Sequence, residues 1–433
     1  MRLIPAVAML LTAAAPALAQ LSPAEKAMGR TVDARYEESV ALLGRLVDQN
    51  SGTLNLEGVT RVGAMMRAEL EALGLAVTWK PMAEVGRAGH LIAVHRGAAG
   101  RKRILLIGHL DTVFEPSSPF QKFVRKGNLA EGPGAGDDKG GMVVILAALH
   151  AMKAAGTLGK ANIEIVLTGD EEDAGSPATI SRADLIAAGK RADVALDFEG
   201  LVQQDGRDMG SIARRSVTDW TLTATGKTGH SSLIFTAAQG DGAVNELARI
   251  LAAFRTELPE PNLTFNPGVI AGGARAAIDA SGNATVAGKT NIIAETAIAM
   301  GDFRTLSEEQ TLRVRAKMEA IVAAHAPGTD ARIRFGEGYP AMAPTAGNKA
   351  LLVKLNEVNR DLGLAEMAAL DPLKRGAGDI SFVASDVDSL AGLGTYSVGD
   401  HAPGETVDLD SIRRQAKRAA ILITRLSGER ATR

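Results

Sequence analysis

Two short segments in the first half of the sequence carry the residue types that bind metal ions. The apolar run 104–107 ends in Gly-His-Leu-Asp, so His109 and Asp111 directly follow a strand-like segment. Asp137 and Asp138 lie in a glycine-rich turn that leads into a long apolar segment of helical length. Ligands of open α/β sheets gather at the carboxyl ends of the strands. The two segments therefore predict a metal site at one edge of a sheet.

Three more residues of this kind follow later strand-like runs. Together with His109 and Asp137, they give five candidate metal ligands: His109, Asp137, Glu172, Glu199 and His401. Two imidazoles and three carboxylates suit Zn²⁺, or Co²⁺ or Mn²⁺ in its place, better than Ca²⁺ or copper. Any one of these residues alone is more often a solvated acid or a core histidine. Five at strand ends or turns indicate two metals about 3.5–4 Å apart that share a bridging carboxylate.

The elements that must position these residues alternate between strand and helix over residues 20–213. Strand-like runs at 91–94, 104–107, 162–167 and 194–196 are separated by helix-like segments, of which 141–155 and 178–188 are the clearest. Such alternation is typical of a mostly parallel, doubly wound sheet. We therefore predict an α/β catalytic domain whose first part is 20–213.

The pattern changes at residue 214. Residues 217–225 alternate polar and apolar side chains, as in an antiparallel strand with one wet face. Further strands are predicted near 262–270, 284–286 and 295–303, with helices at 242–258 and 307–324. We expect an inserted α+β domain, 214–326, with a four-stranded antiparallel sheet and two helices. The catalytic domain then resumes over 327–433.

The composition and charge of the sequence argue against several classes of function. The chain of 433 residues has a net charge of -2, with both signs spread through it, and no basic block that would indicate nucleic acid or a membrane surface. Residues 1–19 have the n-region, apolar core and Ala-x-Ala site of a cleaved signal peptide. We therefore expect a secreted, periplasmic protein with no membrane association after cleavage. Cysteine is absent, so no disulfide and no thiol nucleophile is available.

Seven motifs in register carry a family resemblance: GHLDTVF, GAGDDKGG, TGDEE, LDFEG, GKTGHSS, DFR and GDH. The mature chain resembles the di-zinc metallopeptidase family of glutamate carboxypeptidases, aminoacylases and succinyl-diaminopimelate desuccinylases. Its secreted bacterial glutamate carboxypeptidase branch is the most similar. The resemblance implies that the insert is a lid and dimerisation domain and that the protein is a homodimer with two Zn²⁺ ions.

The resemblance also assigns the ligands. His109 and Glu199 would hold one metal, Glu172 and His401 the other, and Asp137 would bridge the two. Asp197 lies two residues before Glu199, so a shifted register would change the fifth ligand.

Other residues are implied to act in catalysis. Asp111 would orient His109 through the second ring nitrogen. Glu171 would be the general base that takes a proton from a metal-bridging water and delivers it to the leaving amine. His230 would reach the partner subunit's site and stabilise the oxyanion.

Three residues are implied to bind the substrate's carboxylate: Arg304, Asn291 and Gly378. A guanidinium suits this task because its fork matches a carboxylate. Backbone N–H groups of the turn around Gly378 would add to it. A purely structural role for Arg304 and Asn291 stays open.

The expected function is an exported di-metal carboxypeptidase or amidohydrolase. It would cleave an amide bond next to a free carboxylate in a small peptide or acyl-amino-acid substrate, releasing C-terminal glutamate or a similar amino acid. An N-acyl-amino-acid deacylase is the alternative. A catalytically silent, metal-dependent binding protein would lack a ligand or the base, and no motif is broken. A periplasmic solute-binding protein would not need acids and histidines at so many strand ends.

Overall fold

A computed structural model describes residues 20–279 and 281–432. The predicted signal peptide, 1–19, lies outside the described residues and stays a prediction. Among the helices of the described part, none is both long enough and apolar enough to cross a membrane.

The helices and the strands of the two large sheets are numbered in chain order. The helices are α1 (Pro23–Ala34), α2 (Tyr36–Asp48), α3 (Leu56–Leu73), α4 (Lys139–Ala154), α5 (Ala178–Ser181), α6 (Ala183–Arg191), α7 (Ala243–Glu257), α8 (Glu308–Ala323), α9 (Ala346–Asp361) and α10 (Leu409–Ser427). The strands are β1 (Ala76–Met82), β2 (Arg87–His95), β3 (Arg103–His109), β4 (Asn162–Thr168), β5 (Val194–Asp197), β6 (Val217–Gly226), β7 (Thr264–Gly273), β8 (Thr296–Arg304), β9 (Thr329–Tyr339) and β10 (Ser389–Leu390).

Short strands complete the described elements. They are Val124–Lys126, Leu129–Glu131, Gln203–Gln204, Arg207–Asp208, Gly229–His230, Arg275–Ile278, Ala284–Ala287, Ile292–Ile293, Ser397–Val398 and Thr406–Asp408.

The catalytic domain is built on a six-stranded sheet in the order β1-β2-β4-β3-β5-β10. The strands β4, β3, β5 and β10 run parallel to one another, β2 is antiparallel to β4, and β1 pairs antiparallel with β2 at the edge. The predicted mostly parallel α/β sheet is therefore confirmed. The carboxyl ends of β3, β4 and β5 lie side by side, and the predicted ligand motifs follow them.

Helices cover both faces of this sheet because β3 is apolar on both sides. Ile104 and Leu106 are buried with α4 and α10, while Leu105 and Ile107 are buried against Leu185 of α6. Helix α4 is buried almost all round. This close packing holds the start of α4 rigidly beside the end of β3.

The insert has its own core. Its sheet has the order β7-β8-β6-β9 and is antiparallel throughout. Trp220, Leu222 and Ala224 alternate along β6 and face α7 and α8, with Phe254 and Met318 among their partners. The polar–apolar alternation of 217–225 thus forms the expected half-buried strand.

One strand of the insert differs from the prediction. The fourth strand of the sheet is β9, which lies beyond residue 326, where we had ended the insert. Residues 284–286, expected in this sheet, instead pair with Arg275–Ile278 in a separate hairpin. Strand pairing is a long-range contact, so the alternation of a segment does not reveal its partner.

The predicted helix 178–188 is broken at Arg182. The structure has α5 and α6 on either side of this residue, whose side chain is fully buried. Arg182 donates to Asp170 (2.6 Å) and Asp379 (2.7 Å). These tertiary ion pairs outweigh the helix propensity of the segment.

A buried ion pair should stabilise the catalytic domain above about pH 4. Asp208 accepts from Arg418 (2.6 Å) and Arg414 (3.0 Å) of α10, and its side chain is 12% exposed. Burial would raise the pKa of Asp208, but the hydrogen bond and charge of Arg418 hold this pKa below its usual value. We expect Asp208→Asn to lower the free energy of unfolding by about 3 kcal/mol at pH 7, since it leaves the buried charge of Arg418 without its carboxylate partner.

The stabilisation should depend on pH in one direction. The folded-state pKa of Asp208 is depressed, so its contribution is complete above the unfolded value of about 3.9 and is lost as the pH falls through the folded value. Urea denaturation at pH 7, 5 and 3 measures this. Asp33→Asn is the control, because Asp33 pairs with Lys417 at the surface and is half exposed. Equal effects of the two variants at pH 7 would contradict the prediction.

Candidate metal centre

His109 is the last residue of β3 and is almost fully buried. Its Nε2 lies 3.1 Å from Asp137 Oδ1, and its Nδ1 lies 3.1 Å from the carbonyl oxygen and 3.4 Å from Oδ1 of Asp111. One ring nitrogen thus faces the candidate metal position and the other faces Asp111. This is the arrangement expected of a histidine ligand oriented by a carbonyl or carboxylate oxygen.

Asp137 stands between the two candidate histidines. Its Oδ1 is 3.1 Å from His109 Nε2, and its Oδ2 is 3.1 Å from His401 Nε2. Each carboxylate oxygen therefore serves one imidazole. A bridging ligand between two metals needs this two-sided geometry.

The second histidine also meets Glu172. His401 Nε2 lies 3.1 Å from Glu172 Oε2, and His109, Asp137 and Glu172 each offer an atom within 4.8 Å of the other two. His401 sits in the turn after Ser397–Val398 with a φ of 64°. The structure thus brings four of the five predicted ligands into one chain of contacts.

Glu199 is held by arginines. Its Oε2 accepts from Arg214 Nη1 and, at 3.3 Å, from Arg375 Nη2. Its Oε1 is buried and has no hydrogen-bond partner in the described part of the chain. One oxygen is therefore anchored and the other is left available, which suits the predicted fifth ligand. The role of all five residues stays a prediction.

The electrostatics of the centre favour a bound cation. Burial raises the pKa of Glu172 to about 7. Burial would also raise the pKa of Asp137, but hydrogen bonds from His109 and His401 hold it far below its usual range. Burial raises the pKa of Asp138 well above its usual range. So many carboxyl groups in one buried place repel one another unless positive charge is added.

The residues present fit a metal pair. Glu172 Oε1 and Glu199 Oε1 are buried oxygens without hydrogen-bond partners among the described residues. Buried polar atoms are normally satisfied, and Glu172 also contacts His401 through its other oxygen, so the free Oε1 of Glu172 is available to an ion at this cluster. Mixed imidazole and carboxylate donors suit zinc and related transition metals.

Asp111 and Glu171 are placed next to the ligands. Asp111 is fully buried and accepts from the backbone N–H groups of Glu171 (3.0 Å) and Glu172 (3.1 Å) and from Thr53 Oγ1 (2.6 Å). Burial, and then the charge of Glu199, raise the pKa of Glu171 well above its usual range. The Glu171 carboxylate takes no hydrogen bond within the described residues, so it is free to exchange a proton with a bound molecule.

Two predicted residues lie outside this cluster. His230 is exposed and its Nδ1 pairs with Ser232 Oγ at 2.8 Å. Asn291 is exposed, and its carbonyl accepts from Ser231 N. Within the described chain no hydrogen bond joins either side chain to the ligand cluster.

Arg304, whose Nε donates to Asp302 Oδ2 (3.0 Å), lies near the turn 376–378, which contains Gly378. A Cβ added at Gly376 would lie 3.5 Å from Arg304 Nη1, so the guanidinium lies against this turn. A Cβ added at Gly378 would clash with Arg214 and lie 2.5 Å from Glu199 Oε1. A side chain at position 378 would therefore displace the arginine that anchors Glu199.

The sequence analysis missed the residues that hold the ligands in place. Arg214 also donates to Asp197 (3.2 Å) and to the carbonyl of Gly376 (2.9 Å). The Arg-Arg pair that opens the insert was the one available signal. Glu405, four residues after His401, was not identified either.

Glu405 should control metal affinity through the loop that carries Asp137. Its fully buried carboxylate accepts from the N–H groups of Gly134 (2.9 Å), Gly136 (2.7 Å) and Asp137 (3.1 Å). An amide would turn a donor toward these N–H groups. We expect Glu405→Gln to weaken metal binding by about 10–100-fold, the range for partners of ligands.

The measurement for Glu405→Gln is competition for the metal with a chelator of known affinity. Glu131→Gln is the control, because Glu131 lies on the short strand before this loop but pairs with Lys126 at the surface. Unchanged metal affinity in Glu405→Gln would show that the loop holds its shape without the carboxylate.

The family comparison agrees with this site. The model of peptidase family M20/M25/M40 matches residues 105–425, and the chain belongs to this family. The resemblance that we inferred from the seven motifs is thereby confirmed. The site is that of a metal-dependent hydrolase of this family.

Two relatives illustrate the range within the family. The chain is 28% identical over 405 residues to carboxypeptidase G2 from Pseudomonas sp. strain RS-16, covering 89% of this chain and 88% of that protein. It is 32% identical over 223 residues to a succinyl-diaminopimelate desuccinylase from Novosphingobium aromaticivorans, covering 50% and 56% of the two chains.

Solved structures share the fold. A tripeptidase from Staphylococcus aureus superposes with a TM-score of 0.68 at 20% identity over 90% of this chain and 98% of its own. A dinuclear metal-binding M20 peptidase from Bacillus subtilis gives 0.62 at 15% identity over 90% and 98%. The two-domain architecture, with its mixed sheet and antiparallel insert, is therefore that of the family.

Proposed function

We propose that the protein is an exported carboxypeptidase or amidohydrolase with two zinc ions, which releases C-terminal glutamate or a similar amino acid. The proposal rests on the series of contacts His109–Asp137–His401–Glu172, in which each oxygen of Asp137 contacts one histidine. A carboxylate placed between two imidazoles can bridge two metals, with one histidine on each.

The residues around this series of contacts divide the reaction between them. Two bound cations would polarise the scissile carbonyl and lower the pKa of an attacking water. Glu171, with its free carboxylate, would take a proton from that water and pass it to the leaving nitrogen. Arg304 and the backbone of the turn at Gly378 would hold the free carboxylate that identifies the substrate.

The relative named carboxypeptidase G2 supports this reading, since its similarity extends over 89% of the chain. The relatives named desuccinylases support the alternative, an N-acyl-amino-acid deacylase, although the one described above spans half of the chain. Both reactions hydrolyse an amide, and the pocket that binds the acyl side decides between them.

The insert is proposed to form a homodimer. Leu233, Phe235, Val244, Ile270 and Val286 expose 45–66% of their side chains on this domain. A contiguous patch of exposed apolar side chains marks a contact surface, and we propose that these five residues contribute to one. His230, which is exposed, would then be available to the partner subunit's site. Light scattering of the purified protein measures the mass that this predicts.

The test is hydrolysis of a small substrate panel together with metal analysis. The panel holds an N-acyl-glutamate, a folate-type glutamate conjugate, an N-acetyl-amino acid and an X-Glu dipeptide. We expect about two metals per chain and loss of activity on chelation, with recovery on adding Zn²⁺. Preference for the acetyl-amino acid would favour the deacylase, and metal without hydrolysis in a widened panel would overturn both. The N-terminus of the exported protein, expected at Gln20, tests secretion.

A further inference from the structure

The last strand of the insert touches the loop that carries Glu171. Tyr339 ends β9, and its hydroxyl donates to the carbonyl oxygen of Glu171 at 2.8 Å. The same hydroxyl oxygen accepts from Arg182 Nη2, also at 2.8 Å. A tyrosine has one hydroxyl proton and guanidinium is only a donor, so the proton must point at Glu171. The direction of this hydrogen bond is therefore set by Arg182.

Arg182 joins three segments of the molecule at this point. Its fully buried guanidinium donates to the side chain (2.6 Å) and carbonyl (3.0 Å) of Asp170, in the loop after β4, and to Asp379 (2.7 Å), next to the turn at Gly378. The third partner is Tyr339. A buried guanidinium between two carboxylates is held in one geometry, because any shift leaves a charge unpaired.

Glu171 is consequently fastened on both sides. Its N–H donates to Asp111 Oδ1 at 3.0 Å on the side of the ligand cluster, and its carbonyl accepts from Tyr339 on the side of the insert. Glu337, two residues before Tyr339, accepts from Ser176 Oγ and Ala178 N, both at 3.0 Å. Two residues of β9, Glu337 and Tyr339, thus form hydrogen bonds with the segment 169–178, which carries Glu171.

These contacts lie close to the place where the chain passes between the two domains. Arg214, entering the insert, and Met342, leaving it, exchange two backbone hydrogen bonds of 3.0 and 2.9 Å. A cavity of about 430 Å³ lies between the loop and the insert, lined by Ser176, Val217 and Phe382 among others. Movement of the insert about this crossing would therefore displace Tyr339 and, through it, Glu171.

We propose that Tyr339, oriented by Arg182, is a positioning residue that couples the placement of Glu171 to the placement of the insert. The inference rests on the proposed role of Glu171 as general base. Tyr339 contacts the backbone of Glu171 and not its carboxylate, so it adjusts where the base stands and takes no part in proton transfer.

The test is Tyr339→Phe, which keeps the ring against Phe382 (centroids 4.9 Å apart) and removes only the hydroxyl. We expect kcat to fall about tenfold, the loss of one well-oriented hydrogen bond, with KM and metal content unchanged. Hydrogen–deuterium exchange should be faster over 169–178. Tyr36→Phe is the matched control, because the Tyr36 hydroxyl is buried without a partner in the described chain.

The kinetic and the exchange measurements distinguish failure of this proposal from failure of the proposed function. Wild-type protein that hydrolyses nothing in the panel would count against the proposed function, and exchange over 169–178 would still decide whether Tyr339 fastens the loop. Unchanged exchange, or faster exchange with kcat unchanged in an active enzyme, would overturn the coupling. A fall in melting temperature with kcat unchanged would show a merely structural role and overturn it as well.

Discussion

Glu171→Gln should lower kcat by about 10²–10⁴-fold while the protein keeps its metal and its fold. The range is that of a general acid–base group. Glutamine has nearly the shape of glutamate, and the contacts of Glu171 to Asp111 and Tyr339 use its backbone N–H and C=O, so the loop has no reason to move. The lost property is the ability to accept and return a proton.

The measurements are kcat, KM and bound metal for wild type and variant on the best substrate of the panel. Asp173→Asn is the control in the same loop, since Asp173 is exposed and pairs with Arg87. The control should match the wild type. If Glu171→Gln instead lost metal together with activity, Glu171 would be a ligand and not the base.

Asp137→Asn should abolish activity and reduce bound metal to below one ion per chain. The carboxylate presents one oxygen to each histidine at 3.1 Å, and an amide replaces one of these oxygens with an NH₂ group, which cannot ligate a metal. Because Asp137 would touch both ions, we expect more than the roughly 100-fold loss of affinity that marks partners of ligands.

Metal analysis after dialysis, with chelator competition, measures this effect. Asp330→Asn is the matched control, because Asp330 forms a similar carboxylate–imidazole pair with His325 (3.2 Å) at the surface. Two ions retained in Asp137→Asn would contradict a bridging role. Loss of one ion alone, with the other held at wild-type affinity, would assign Asp137 to a single metal.

The two variants also distinguish chemistry from assembly. Glu171→Gln is expected to separate activity from metal content, whereas Asp137→Asn removes both. Glu405→Gln lies between them, since it weakens the support of Asp137 without removing a ligand. The three variants together assign a role to each acid from the property that is lost, which is activity, metal binding or both.

Much of the catalytic domain could be predicted because its signals are local. The runs that became β3, β4 and β5 are short and apolar, and the residues directly after them are polar and acidic. Helix α3 (Leu56–Leu73) has local signals of the same kind: Asn55 caps its start, and Gly74 ends it in the left-handed region, with a φ of 99°. Patterns of this kind depend only on residues that are neighbours in the sequence, so they can be recognised from the sequence alone.

The candidate site was predicted as a set of residues, and its connections were not. Strand ends and a glycine-rich turn indicated His109, Asp137, Glu172, Glu199 and His401, and the family resemblance implied the roles of these and of the other residues. The hydrogen bonds of Arg214 to Glu199, of Glu405 to the loop at Asp137, and of Arg182 to Tyr339 span 15 to 271 residues of sequence. No local pattern announces the partner of such a side chain.

The sequence by itself therefore determined which residues have metal-binding side chains, where most of the helices and strands lie, and that an α+β domain interrupts an α/β domain. Tertiary structure decided that β9 and not 284–287 completes the sheet of the insert, that Arg182 breaks a helix, and that one oxygen of Glu199 is anchored while the other stays free. The physical reason is the same in each case. Periodicity and capping are short-range properties of the chain, whereas strand partners and buried ion pairs are chosen by packing between distant segments.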